Sequence, residues 1–255
     1  MSKSYLYPDW QLSNQAKARI GSCVTTRFGG QSQPPYDGFN LALHVGDNPV
    51  DVEANRSVLL EVLPSQPVWL EQVHGIEVFD ADRWQFDRVP VADAAVTTVP
   101  GRVLSVMTAD CLPILLCDEE ARVIGVAHAG WRGLCAGVIE KTVNAMLKKM
   151  AYQDASTLKV YLGPAIGPTA FEVGSEVRAA FMDLYPEAAS AFEPLPRAGK
   201  YLANLYKLAT QRLQRLGVKE ISGGSDCTYL DKKFYSYRRN QQTGRMASFI
   251  WIKAS

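Results

Sequence analysis

One stretch, residues 108–133, constrains the chain more than any other, because it brings reactive side chains to the ends of two short apolar runs. Its sequence is TADCLPILLCDEEARVIGVAHAGWRG. The apolar runs at 114–117 and 123–127 are separated by a polar turn, which predicts two adjacent buried strands. Cys111 precedes the first strand, His128 follows the second, and the glycine-rich segment after it opens a helix. A thiolate, an imidazole and free helix N–H groups are therefore expected at one rim.

The composition is that of an ordinary globular protein and argues against several classes of function. The chain has 255 residues, of which 47% are apolar and 21% charged. Its formal net charge of +1 gives no field that favours nucleic acid or an anionic membrane. No apolar run approaches the roughly 20 residues that cross a bilayer, and the N-terminal segment MSKSYLYPDW lacks an apolar signal region. We expect a cytoplasmic protein whose five cysteines are reduced.

The hydrophobic pattern predicts strands and helices that follow one another along the chain. Helices are predicted where apolar residues recur at helical spacing, at residues 49–63 (with Asn48 as N-cap), 133–149, 175–184 and 202–216. Besides the pair above, strands are predicted at residues 20–26, 68–70, 76–79, 93–97, 102–107, 159–162 and 248–252. Residues 31–47 form a loop of a length that is usually functional. We expect one domain over residues 1–255, of the α+β class, with mixed β-sheets and flanking helices.

The histidines and one cysteine are the candidate metal ligands. The chain contains three histidines, His44, His74 and His128, and each lies in a loop or at a strand end beside small residues. Cys111 lies in a polar turn before Pro113, whereas inert cysteines are usually buried in apolar elements. Two imidazoles and a thiolate with an open fourth position suit a catalytic zinc site, and the same ligands suit copper. The sequence gaps between them are long, so spacing alone indicates this site only weakly.

Further motifs connect the chain to a known family. The run ADCLPILL, followed by HAGWRG, resembles the YfiH-like family, also called the peptidoglycan editing factor or laccase-domain family. The similarity continues in order through TTRFGG, FNLALHVGD, EQVHG, LGPAIGP with FEVG, FYSYRR and TGRMAS. The resemblance implies a zinc site formed by His74, Cys111 and His128. It also implies a fold related to the cytotoxic-necrotizing-factor toxin deamidases.

The same resemblance implies a choice of activities. Members of the family are linked to phosphorolysis of adenosine, inosine, guanosine and methylthioadenosine, and to deamination of adenosine. They are also linked to removal of L-serine from a UDP-MurNAc peptidoglycan precursor. The expected partners are therefore small molecules, namely purine nucleosides and phosphate or that precursor, and neither nucleic acid nor a membrane.

Each reaction needs particular side chains. In deamination, a water activated by zinc attacks C6 of adenine, and Asp110 is the carboxylate that we expect to orient a ligand or move a proton. Phosphorolysis needs cations and N–H donors around phosphate, for which we predict Arg56, Arg132 and the helix N-terminus at 131–133. Substrate contacts are also predicted for Asn40 and His44. Further candidates are Arg27, Arg238 and Arg239 for anions and Tyr36, Phe39, Phe234 and Tyr235 for purine stacking.

Three alternatives follow from the same residues. A multicopper oxidase needs several histidines beyond a copper site with two, so three histidines argue against copper oxidation, although copper could occupy the same ligands. Cys111 as a nucleophile, with His128 or His74 as base, would instead cleave an amide, which is incompatible with permanent zinc ligation by Cys111. A non-catalytic nucleoside-binding protein is the remaining alternative.

Overall fold

The computed structural model describes residues 4–85, 88–150 and 154–254. The α-helices in these ranges are α1 Asn14–Arg19, α2 Pro49–Val58, α3 Trp131–Ala136, α4 Val138–Met150, α5 Ser175–Leu184 and α6 Leu205–Arg215. Short 3-10 helices lie at Leu59–Glu61, Ala81–Arg83, Ala155–Thr157 and Pro186–Ala191. The strands are β1 Tyr5–Leu6, β2 Ile20–Thr25, β3 Pro67–Val68, β4 Val78–Asp80, β5 Ala94–Thr97, β6 Val103–Thr108, β7 Leu112–Asp118, β8 Ile124–Ala129, β9 Leu158–Leu162, β10 Glu172–Gly174, β11 Phe192–Pro194, β12 Lys200–Ala203, β13 Glu220–Gly223 and β14 Met246–Ile252.

These strands form three sheets. The order is β1-β2-β14-β6-β3 in the five-stranded sheet, β13-β9-β7-β8-β5-β4 in the six-stranded sheet and β10-β12-β11 in the smallest. Both large sheets are mixed, because β3 and β6, β4 and β5, and β9 and β13 pair parallel while their other pairs are antiparallel. The predicted α+β class with mixed sheets and flanking helices is confirmed. A single domain over residues 1–255 stays a prediction.

The hydrophobic core lies on both faces of the six-stranded sheet. Along β7, Ile114 and Leu116 belong to the cluster that includes α4, α5 and α6, whereas Leu115 and Cys117 belong to the cluster shared with β6 and β14. This alternation is the two-residue period of a strand. Because both faces of β7 are buried, its sequence reads as a continuous apolar run rather than an alternating one.

The predicted pair of adjacent strands is confirmed as the antiparallel hairpin β7–β8, in which Pro113 lies opposite His128. The buried carboxylate of Asp118 closes the turn of this hairpin. Its Oδ1 accepts a hydrogen bond from the Val123 N–H at 3.0 Å, and its Oδ2 accepts one from Arg122 Nε at 2.7 Å. The register brings the residues just before β7 and at the end of β8 to one end of the sheet.

Several helix boundaries differ from those predicted. The helix expected over 133–149 is two helices, α3 and α4, because Gly137 between them adopts the left-handed conformation with φ 104°. The helix expected over 202–216 begins at Leu205, since Leu202 pairs in β12 and Asn204 caps the helix by accepting from the Lys207 N–H at 2.9 Å. The Asn48 cap of α2 is confirmed. No helix in the described ranges combines the length and apolar character needed to span a membrane.

Candidate metal centre

The structure brings together the three predicted ligands, His74, Cys111 and His128. Their ligand atoms all lie within 4.8 Å of one another. Cys111 Sγ is 3.7 Å from His74 Nε2, and the two imidazole rings lie 4.8 Å apart at an interplanar angle of 74°. Around a tetrahedral zinc ion, with bonds of about 2.3 Å to sulfur and about 2.05 Å to nitrogen, a sulfur and a nitrogen ligand atom are about 3.6 Å apart. This value is close to the distance between Cys111 Sγ and His74 Nε2. The spacing and the donor set therefore fit one metal ion.

Two ligands come from the hairpin and the third comes from a distant loop. Cys111 immediately precedes β7 and His128 lies in β8, so antiparallel pairing brings them to the same end of the sheet. His74 lies between β3 and β4 with a φ of 59°, in the left-handed region that residues other than glycine rarely adopt. Gln72 anchors this loop on β6, because its amide donates to Met107 O at 2.8 Å and accepts from the Met107 N–H at 2.7 Å.

The buried carboxylate of Asp93 connects both histidines. Its Oδ1 accepts from the His74 N–H at 2.9 Å and from His128 Nδ1 at 2.8 Å. Its Oδ2 accepts from the N–H groups of Gly75 at 2.6 Å and Val73 at 3.2 Å. Burial opposes ionisation of Asp93, but the hydrogen bonds from His128 and the backbone lower its pKa. With Nδ1 of His128 held in this way, Nε2 is its ring nitrogen available to a metal.

Two glycines keep the space around the ligands clear. A Cβ at position 130 would lie 2.9 Å from both Cys111 Sγ and His74 Cδ2. A Cβ at position 133 would lie 2.7 Å from the carbonyl oxygen of Gly75. Both distances are too short for ordinary packing, so Gly130 and Gly133 allow α3 to lie directly against the loop that carries His74.

The electrostatics of the site favour a thiolate. Burial opposes ionisation of Cys111, but the charge of His128 and the hydrogen bonds from both histidines lower the pKa of Cys111 to about 6. Burial lowers the pKa of His128, whereas the charges and hydrogen bonds of Cys111 and Asp93 raise it, and the net direction is upward. Thiolate is the form of cysteine that ligates metals and attacks electrophiles, so the group can serve either chemistry.

The three ligands lie in the wall of a cavity of about 540 Å³. This volume is within the range of small-molecule sites. The wall combines aromatic, cationic and polar side chains, which include Trp131, Phe171, Tyr237, Arg132, Arg238, Arg245, His44, Gln72 and Asp110. The aromatic faces and the arginines give the cavity the means to hold a flat base and an anion together.

Of the four residues predicted to contact substrate, two line this cavity and two do not. His44 and Arg132 are on the wall. Asn40 is buried away from it, where its amide donates to Asp47 Oδ2 at 2.8 Å and accepts from the Arg245 N–H at 2.9 Å.

Arg56, the other residue away from the wall, is held under the 31–47 loop. Its Nε donates to Leu41 O at 2.9 Å, and its guanidinium lies 4.3 Å from the centre of the Trp69 ring. The structure therefore corrects the predictions for Asn40 and Arg56. Both satisfy polar groups of the 31–47 loop, and that loop carries His44 to the cavity.

Asp110 lines the cavity but does not contact the histidines through a hydrogen bond. Its Oδ1 accepts from Thr228 Oγ1 at 2.6 Å and its Oδ2 accepts from the Arg238 N–H at 2.7 Å. The carboxylate that contacts the imidazole of a candidate ligand is Asp93, through His128 Nδ1, and sequence reasoning missed it. The signal was available as a single acidic residue among small apolar residues in the segment VADAAV.

The predicted stacking aromatics are core residues. Tyr36, Phe39, Phe234 and Tyr235 are buried, and other aromatic side chains face the cavity. Among the additional arginines, Arg238 lines the cavity. Arg27 pairs with Asp37, and Arg239 donates to the carbonyl groups of Thr228, Tyr229 and Phe234.

The fold and the His-Cys-His group define a protein with a candidate metal centre facing a cavity large enough for a small molecule. The family model described as multi-copper polyphenol oxidoreductase laccase matches residues 21–253, and the chain belongs to this family. The name of that family model implies more copper ligands than three histidines provide.

Named relatives point to a different activity. The chain is 49% identical over 255 residues to a protein of Escherichia coli named purine nucleoside phosphorylase YfiH, covering 99% of this chain and 100% of the relative. A Neisseria meningitidis protein of the DUF152 family model has a solved structure with a TM-score of 0.90 and 44% identity, covering 99% of this chain and 100% of that one. YlmD from Geobacillus stearothermophilus has a TM-score of 0.82 and 30% identity, covering 99% and 100%.

Proposed function

We propose that this protein is a zinc-dependent purine nucleoside phosphorylase. The observation that carries the proposal is the 49% identity, over the full length of both chains, to a relative bearing that name. The cavity beside His74, Cys111 and His128 supports it, because it offers aromatic and cationic side chains to a nucleoside and an anion. The proposal includes the substrates, which are adenosine, inosine, guanosine and methylthioadenosine.

The reaction has a simple balance. An oxygen of hydrogen phosphate forms a bond to C1′ of the sugar while the C1′–N9 bond breaks. The electron pair of that bond goes to the purine, and the proton of hydrogen phosphate ends on the purine nitrogen. The protein has to hold the two reactants in line and stabilise the negative charge, which is mainly a matter of positioning and of cations.

The residues that would hold zinc are His74, Cys111 and His128, with His128 fixed by Asp93. If zinc is bound by these residues, it would supply a positive charge and Lewis acidity to the substrate. We assign anion binding to cavity side chains rather than to the predicted helix N-terminus, since α3 has only six residues. We assign base stacking to Trp131, Phe171 or Tyr237.

The test combines metal analysis with product analysis. Purified protein is assayed for zinc and copper, then incubated with each of the four nucleosides with and without phosphate, and products are identified by mass spectrometry. We expect about one zinc per chain and phosphate-dependent release of free base with sugar 1-phosphate. We also propose that the protein deaminates adenosine, and ammonia release from adenosine in the same assay tests this.

The matched pair of variants is Cys111→Ala and Cys135→Ala. Cys135 is also a free, half-buried cysteine, but it lies in α3 away from the ligand set. We expect Cys111→Ala to lose zinc and base release, and Cys135→Ala to keep both. Zinc-loaded, folded protein that releases no base from any of the four nucleosides would contradict the proposed function.

A second candidate is amide hydrolysis with Cys111 as nucleophile, as in removal of L-serine from a UDP-MurNAc precursor. The observation that favours it is the distance of 3.7 Å between Cys111 Sγ and His74 Nε2, which places a base beside the thiol. The charge and hydrogen bonds of the neighbouring histidines also lower the pKa of Cys111, against the effect of burial. Alkylation of Cys111 by iodoacetamide separates the two candidates. A metal ligand reacts only after a chelator is added, whereas a free nucleophile reacts at the same rate with or without it.

A further inference from the structure

Arg245 differs from the other two arginines of the cavity wall. Arg132 is exposed and lies over the ring of Trp131, at 4.5 Å from the ring centre. Arg238 is exposed as well and lies 5.5 Å from the centre of the Phe171 ring. Arg245 is half-buried, so its charge is partly removed from water inside the cavity.

The position of the Arg245 guanidinium is fixed by the backbone. Its Nη1 donates to Thr243 O at 2.8 Å and to Gly244 O at 3.0 Å. The Arg245 N–H donates to the buried side chain of Asn40 at 2.9 Å. Nη1 of the guanidinium group is thus used to hold the side chain in place. In the described part of the chain, Nε and Nη2 form no hydrogen bond to protein and are left for a ligand.

The charge of Arg245 also lacks a carboxylate partner. Among the residues that the structure describes, no Asp or Glu oxygen lies within 4.0 Å of its guanidinium. Asp110 is on the same cavity wall, but its oxygens already accept from Thr228 and from the Arg238 N–H. Partial removal of a cation from water without a paired anion costs free energy, and a bound anion would offset that cost.

The charge effects agree with this geometry. Burial lowers the pKa of the Arg245 guanidinium, and the negative charges of Cys111 and Asp110 only partly oppose that effect. Burial and then the positive charge of Arg245 lower the pKa of His44 on the same wall. His44 is therefore biased toward its neutral form, which carries no charge to attract an anion.

We propose that Arg245 is the principal anion ligand of this cavity and binds the phosphate co-substrate through the Nε and Nη2 side of its guanidinium. Guanidinium recognises phosphate through two parallel hydrogen bonds, and a fixed, half-buried fork loses little freedom on binding. The assignment rests on the proposed phosphorolysis and deepens it, because it separates a phosphate subsite at Arg245 from the exposed arginines of the wall.

The test measures phosphate itself, with and without turnover. Calorimetry with inorganic phosphate on the metal-loaded protein gives a Kd, and inosine phosphorolysis gives a KM for phosphate and a KM for inosine. In Arg245→Gln we expect the phosphate Kd and KM to rise roughly 10- to 100-fold, as for loss of a charge-assisted pair, and the inosine KM to change less than threefold. Arg197→Gln removes the same charge from an exposed side chain outside the cavity and is expected to match wild type.

The outcomes separate the subsite from the reaction. A folded Arg245→Gln protein with the phosphate affinity of wild type overturns the subsite, and so does wild-type protein that binds no phosphate. If wild type binds phosphate but does not release base, the proposed reaction fails while the calorimetric comparison still decides the subsite. If Arg245→Gln melts far below wild type, Arg245→Lys decides instead, because it keeps the charge and loses the fork. Phosphate affinity in Arg245→Lys within twofold of wild type overturns the proposal.

The source of the phosphate group is tested by competition. Inorganic phosphate and the phosphate of a 5′-nucleotide share the same chemistry at a guanidinium. We expect inorganic phosphate to bind without displacing inosine. A 5′-nucleotide that binds at least tenfold more tightly than inosine, and loses that advantage in Arg245→Gln, would overturn the co-substrate assignment in favour of a nucleotide site.

Discussion

Replacing Asp93 by asparagine is predicted to weaken metal binding at the candidate centre without changing any of the three candidate ligands. Each oxygen of Asp93 accepts two hydrogen bonds, Oδ1 from His74 and His128 and Oδ2 from Gly75 and Val73. An asparagine must place its NH₂ group against one of these pairs of donors. In either orientation, two of the four hydrogen bonds are lost, because two N–H donors then face the NH₂ group, which is itself a donor.

The magnitude follows from the charge and the burial of Asp93. The side chain is fully buried, and a hydrogen bond to a charged group contributes about 1.5–3 kcal/mol, so losing two costs about 3–6 kcal/mol of unfolding free energy. For metal affinity, loss of a carboxylate that orients a ligating histidine typically costs about 10- to 100-fold. We therefore expect the zinc Kd of Asp93→Asn to rise by that factor.

The assay uses a chromogenic chelator to compete for zinc, with urea unfolding of the same samples. The matched control is Asp118→Asn, since Asp118 is also fully buried and also accepts backbone N–H donors, but at the far turn of the β7–β8 hairpin. We expect the control to lose stability and to keep its zinc Kd. Wild-type zinc affinity in folded Asp93→Asn would refute the role given to this carboxylate.

Three further predictions test the surroundings of the site. Gly130→Ala places a methyl group 2.9 Å from Cys111 Sγ, so we expect at least a tenfold loss of zinc affinity by the same competition assay, with the fold retained by circular dichroism. Asn55→Ala removes a buried amide that donates to Ser32 Oγ at 3.0 Å and accepts from the Gln31 N–H at 2.8 Å, so urea unfolding should show a loss of about 2–4 kcal/mol. For Asp82, burial opposes ionisation, but hydrogen bonds led by that from Lys149 lower its pKa to about 2. Its stabilisation is thus present above about pH 4 and is lost as pH falls toward 2. With the side chain 26% exposed, we expect Asp82→Asn to cost about 1–2 kcal/mol at pH 7 and little at pH 2 in urea unfolding.

The parts of the fold that sequence predicted are those with local causes. The β7–β8 hairpin follows from two apolar runs around a polar turn, and the start of α2 follows from Asn48 before a proline. The predicted helix boundaries were wrong where pairing with a distant strand overrode the local hydrophobic pattern. Leu202 fits a helical stripe in sequence, yet it pairs with Glu172 in a sheet whose strands are only three or four residues long. No local signal marks such short strands.

The same distinction between local and long-range causes applies to the residues of the site. Cys111 and His128 are predictable as neighbours, because a hairpin of known register joins them. His74 joins them through pairings distant in sequence. Its sequence context marks it only as one of three candidate histidines, and the family resemblance selects it as a ligand. Asn40 and Arg56 show the opposite error, since their place in polar motifs predicts a contact with substrate that the structure does not show. The buried part of a long loop has backbone groups to satisfy, and these two side chains satisfy those of Leu41 and Ala42.

The four hydrogen bonds of Asp93 explain how the candidate metal site combines residues so far apart in sequence. Asp93 immediately precedes β5, which pairs with β8 on one side and with β4 on the other. It therefore lies between the strand that carries His128 and the loop that carries His74. The strained φ of His74 is maintained by three consecutive N–H groups donating to this single carboxylate. The relative positions of the two histidines are thus set by the order of the strands in the sheet, and a change at Asp93 is expected to disturb both histidines at once.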